Sequence, residues 1–166
     1  MIQQAEDDAA QARSIFVHHL NRLYFGKCFL EKKIADLVES ASLRNLQLAL
    51  TEMWQDVKHQ ICRMEEIYQR IEESPVDEGN NPIKSIVKDK FCLDQTQTIL
   101  MLKDIDIILY VQLLEHINIT SYRMLKMLAH TLQNKEIDQL LIECFDESVD
   151  DDRLFVMVTE EYLGKK

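Results

Sequence analysis

Along most of the chain, apolar residues recur at alternating steps of three and four. From Phe16 the seam runs through Leu20 and Leu23, is interrupted at Lys27, and resumes at Leu30, Ile34 and Leu37. That spacing keeps one face of an α-helix apolar. It predicts a first helix over residues 8–40, after a flexible N-terminus at 1–7. A second seam contains Leu46, Leu50, Met53, Val57, Gln60, Met64, Ile67 and Ile71. It predicts a helix over 43–74 that ends at Ser74-Pro75, because the residue before a proline is pushed out of helical geometry. Only a few residues separate the two helices, so they pack antiparallel.

The stretch 75–82 is a loop holding both prolines and one of the three glycines. Asn81 followed by Pro82 reads as an N-cap and first helical position, opening a shorter third helix over 82–100. Asp104 reads as the cap of a fourth helix over 104–133, with the seam Ile105, Ile108, Gln112, Glu115, Ile119, Tyr122, Leu125, Ala129 and Leu132. A turn at Gln133-Asn134 leads into a last helix from Lys135 to Tyr162, with Ile137, Leu141, Cys144, Phe155, Val158 and Tyr162 inward. Its middle, 146–152, is polar, so Ser148 or Asp150 is also a possible cap for a separate final helix. Four helices of roughly 30 residues each span about 45 Å. Two hairpins joined by a long connection with a short helix define an all-α, ferritin-like four-helix bundle, a single domain over 1–166.

Composition narrows the picture. Gly and Pro together number 5, about 3% against roughly 12% in average usage, which disfavours turn-rich sandwiches and barrels. The net charge is −10, a poor basis for gripping a phosphate backbone, so no nucleic-acid partner is expected. The first 13 residues lack the basic start and apolar middle of a signal peptide, and no apolar run approaches the roughly 18 residues of a membrane span. Cys28, Cys62, Cys92 and Cys144 form no CxxC pair, so reduced, structural thiols in a cytoplasmic protein are expected.

Each seam is interrupted near its middle by polar residues: Lys27 in the first helix, Asp56 and Gln60 in the second, Gln112, Glu115 and Asn118 in the fourth, Glu147 and Asp151 in the last. Buried charge is costly unless paired or metal-bound. Polar residues at a similar depth in four helices therefore suggest a polar centre, though bundles also use such residues only to fix helix register. Asp56-Val-Lys-His59 has the spacing of a carboxylate–histidine metal pair, but His59 falls off the seam and reads as a surface residue. His18, His19, His116 and His130 lack a matched second ligand.

The run Gln112-Leu-Leu-Glu115-His116-Ile-Asn118-Ile-Thr-Ser-Tyr122, with Gln60-Ile-Cys-Arg63-Met64-Glu65 and Leu140-Leu141 before Glu147 and Asp152, resembles the YciF/YciE family of bacterial ferritin-like proteins. That family is described as stress-associated, and the resemblance implies a homodimer. It extends from about Leu20 to Leu154. Ferritin-like dimetal proteins hold two metals with Glu and His from four helices. This chain departs from the family's pattern where it matters. A helix-1 Glu is Lys27, a helix-2 His and Glu are Met53 and Asp56, the second Glu of the helix-4 motif is Asn118, and a Glu-Glu pair is Glu147-Ser148.

These residues predict a non-enzymatic bundle without a cofactor, its dimetal site lost or weakened, and Lys27 paired inside with Glu115 or Glu147. Two alternatives stand beside it. One is a dimetal carboxylate protein handling iron, oxygen or peroxide, with iron or another divalent metal on Asp56, Glu115 and Glu147. The other is a helical protein-interaction module.

Overall fold

The computed structural model describes residues 2–164, with side chains from residue 7 onward. It is all-α, with no strand among the described residues. The elements are α1 (Ile2–Glu31), α2 (Ile34–Ser40), α3 (Arg44–Arg70), α4 (Pro82–Lys88), α5 (Leu100–Ala129) and α6 (Lys135–Gly164), with short 3₁₀ turns at Lys90–Cys92 and His130–Leu132.

Cross-helix contacts fix the arrangement. Tyr24 Oη meets Glu65 at 3.0 Å, Tyr68 Oη donates to Asn21 at 2.7 Å, and Trp54 Nε1 donates to Glu31 at 3.1 Å. Numbers rise along α1 as they fall along α3, so the pair is antiparallel. Gln112–Asp152 and Lys126–Phe145 contacts set α5 against α6 in the same sense. Asn45–Glu161 and Arg63–Glu143 do so for α3 and α6. α1 also packs on α5. α3 and α5 therefore run in the same direction, and residues 71–99 must return along the bundle to connect them. The result is two antiparallel hairpins and a long crossover carrying α4.

Several boundaries differ from the sequence reading. The N-terminal segment is helical from Ile2. The predicted first helix tightens at Lys32-Lys33, where Lys33 N donates to Leu30 O at 2.8 Å, and resumes as α2. Leu30, Ile34 and Leu37 remain buried across this break, so the seam keeps its phase. α3 ends four residues before Ser74, at Glu72's left-handed φ of 54°, and Arg13 Nη2 caps the freed Ile71 carbonyl at 2.5 Å. The crossover helix is only Pro82–Lys88, opened by Asn81, whose side chain accepts from Ile83 N and Lys84 N. α6 runs unbroken through 146–152, so neither Ser148 nor Asp150 starts a new helix; its cap is Asn134, accepting from Glu136 N at 3.0 Å and Ile137 N at 3.2 Å.

Asp104 is the largest correction. α5 begins earlier, at Leu100, and Asp104 lies inside it, fully buried. Its carboxylate instead caps the entry to α3, accepting from Ser42 N (2.7 Å), Ser42 Oγ (2.5 Å) and Leu43 N (3.1 Å). α4 sits against α1 at Gly26, where a Cβ would lie 2.8 Å from Asn81 Oδ1 and 2.9 Å from Ile83 Cδ1. Only the missing side chain lets the crossover approach this closely.

Candidate functional site

The interhelical register brings polar residues from all four long helices to the middle of the bundle. α1 contributes Lys27, α3 Gln60, α5 Glu115 and Asn118, and α6 Ser148 and Asp151, all buried. Lys27 Nζ lies 5.6 Å from the centroid of the Tyr122 ring, within range of a favourable amine–π contact. Tyr122 Oη donates to Gln60 Oε1 at 3.1 Å. Burial pushes the neighbouring Cys144 thiol up to about 12, so it does not ionise at neutral pH.

Lys27 Nζ, both Glu115 oxygens, both polar atoms of Asn118, Ser148 Oγ and Asp151 Oδ2 have no hydrogen-bond partner among the described residues. The expected ion pair of Lys27 with Glu115 or Glu147 is therefore not formed. The reason for Glu147 is geometric. It is Ser148 that points fully inward, while Glu147 turns to the bundle's edge, where Arg63 Nη1 holds it at 2.8 Å and Arg63 Nε holds Glu143 at 2.9 Å. Asp56 and Gln112 also sit half-buried at the rim rather than in the core; Gln112 Nε2 donates to Asp152 at 3.1 Å.

Asp151 carries the strongest electrostatic signature. Burial above all, with the adjacent Glu115 and Asp56 carboxylates, raises its carboxyl to about 9, and Lys27 acts in the opposite direction. At neutral pH it is a neutral acid. Burial, then Glu147, also raises Asp56.

A pair of metals needs converging carboxylates and imidazoles. The positions that the family pattern assigns to ligands here hold Lys27, Met53, Asn118 and Ser148, each fully buried. No imidazole enters the centre among the described residues; the His59 side chain is 62% exposed. Asp56, His59 and Glu147 do offer atoms within 4.8 Å of one another, but at the rim, with the Arg63 guanidinium already neutralising Glu147. This donor set does not fit a metal pair at the bundle centre.

Arg63 was the residue that sequence reasoning missed. Gln60, Met64 and Ile67 define the seam, and Arg63 lies beside it. Only the acidic residues facing it from α6 at the same level, Glu143 and Glu147, signal a partner.

Fold and site together define a class: a four-helix bundle with a long crossover and a buried polar centre. The match is more specific than that. The family described as "Domain of unknown function (DUF892)" covers residues 11–164, and the chain belongs to it. Among solved structures, the E. coli stress protein YciF is similar, at 21% identity and a TM-score of 0.84, covering 93% of this chain and 98% of that one. YcfI, a proposed structural protein from Rhodopseudomonas palustris, is similar at 22% identity and a TM-score of 0.78, covering 87% and 92%. No curated protein matches. These likenesses establish the shared fold. No helix among the described residues is long and apolar enough to cross a membrane.

Proposed function

We propose that this protein is a non-enzymatic, stress-associated structural bundle in which a buried polar cluster stands where ferritin-like relatives hold two metals. The observation that carries this reading is the complete burial of Lys27 together with Glu115 at the bundle centre. An amine there occupies the space and supplies the positive charge that a metal otherwise provides. The names of the two structural neighbours, a stress protein and a proposed structural protein, agree with the reading.

The protein acts in the cytoplasm as a homodimer. Its four free thiols suit a reducing compartment. The dimer face is the outer side of α5, where Leu102, Leu109 and Leu113 are about half exposed. A helix with apolar residues on both its inner and outer sides is expected to be covered on both.

Elemental analysis of protein purified from cells supplied with iron and zinc tests the proposal. Substoichiometric metal is expected. Two metals per chain would instead support the dimetal alternative, with Asp56, Glu115 and Glu147 as ligands.

A further inference from the structure

A cavity of about 510 Å³ opens where the crossover passes the junction of α1 and α2. Its floor is apolar: Phe29 and Leu37 on one side, Val87, Phe91 and Leu93 on the other. Its rim carries Lys33, Lys88 and Lys90 against a single acid, Asp36. In a chain of net charge −10, this concentration of positive charge is local. Lys33 has a loose contact with Asp36 at 3.9 Å, and no ion pair occupies Lys88 or Lys90 among the described residues.

The backbone is also unusual here. Lys90, Phe91 and Cys92 follow one another with φ of 49°, 57° and 58°. None is glycine, and the left-handed region is one that L side chains disfavour. The left-handed run reverses the chain so that Phe91 is buried while Lys88 and Lys90 share the cavity's rim. A cavity of this size lies in the range of small-molecule sites, which combine apolar walls with a few placed polar groups.

We propose that this cavity binds a small organic carboxylate with a short apolar tail, the tail on the Phe29–Val87–Leu93 floor and the carboxylate among Lys33, Lys88 and Lys90. This site is separate from the polar centre and does not depend on it.

Octanoate is the probe, with octylamine and methyl octanoate as its cationic and neutral counterparts. Binding is followed by methyl-resolved NMR below the micelle-forming range. Octanoate should bind saturably and shift the methyl signals of Leu37, Val87 and Leu93, while octylamine should not compete. The exposed-site variant Lys33→Ala/Lys88→Ala/Lys90→Ala should keep the native melting temperature and weaken octanoate at least about tenfold, as expected for losing hydrogen bonds to a charged group. Leu93→Trp, which fills the floor, should weaken octanoate and methyl octanoate alike. Absence of saturable binding, equal binding of octylamine, undiminished affinity in the triple-lysine variant, or shifts confined to Leu109 and Leu113 on the outer face of α5 would each overturn the proposal.

Discussion

Asp104 and Glu115 stand about three helical turns apart on the inward side of α5, and both are fully shielded from solvent. Asp104 receives three hydrogen bonds from Ser42 and Leu43. Glu115 receives none from the described residues. The first carboxylate closes the entry to α3, satisfying donors that a helix start leaves free. The second belongs to a cluster of groups with little local satisfaction. A buried polar residue kept for stability makes its hydrogen bonds. The central cluster differs from Asp104 in that its polar groups meet few protein partners among the described residues.

The largest effect should be on pH dependence near Glu115. Asp151 titrates at about 9 in the folded chain, against 3.8 as an ordinary carboxyl. Between these values the native state keeps a proton that the unfolded chain has lost. Stability is therefore fullest below about pH 4 for this group and declines as pH rises through the window to about 9, by up to about 1.4 kcal/mol per unit. Asp56 is raised in the same direction, so its contribution has the same sign. Urea unfolding at pH 5 and pH 8 should show native protein losing stability over this interval and Asp151→Asn losing much less.

Asp104→Ala should come next. It strands two backbone donors and a hydroxyl, and should cost about 3 kcal/mol in the same assay. A loss below about 1 kcal/mol would erase the distinction between the two carboxylates. Replacing both buried ionisable residues instead, Lys27→Met with Glu115→Leu, should leave stability unchanged or raise it by about 2 kcal/mol, as found when buried charges give way to apolar residues of similar volume. Gly26→Ala probes a different packing constraint, the crossover's seat on α1, and should cost about 1 kcal/mol because Asn81 and Ile83 must move.

Much of this architecture was legible in the chain because its information is periodic. Counting threes and fours places Lys27, Gln60 and Glu115 inward, and they are inward; the same count puts Ile119 on the seam, whereas Asn118 is the buried residue and Ile119 is half-buried. Asp104 was misplaced because an acidic residue before an apolar run looks like a local cap, whereas its donors lie about 60 residues earlier in sequence. The seam itself held the better clue, since Asp104 stands one turn before Ile108. Glu147 was misread by a single residue: a step of 100° exchanges it with Ser148 at the core. Periodicity predicts which face a residue occupies but not whether its charged end finds a partner, so the Lys27 pairing failed although its burial did not. The cysteines show the same limit: all four read as structural, and Cys144 is buried and Cys28 half-buried, but Cys62 and Cys92 are exposed, so two of the four thiols should label rapidly in the native state.

The proposed replacement of metal by Lys27 is tested most directly by restoring donors at Lys27 and Met53. Calorimetric titration of Mn²⁺ into the native protein and into Lys27→Glu/Met53→His should show binding in the double variant alone, with circular dichroism confirming that both remain helical. Equal, saturable Mn²⁺ binding by the native protein, lost on Glu115→Gln, would contradict the account.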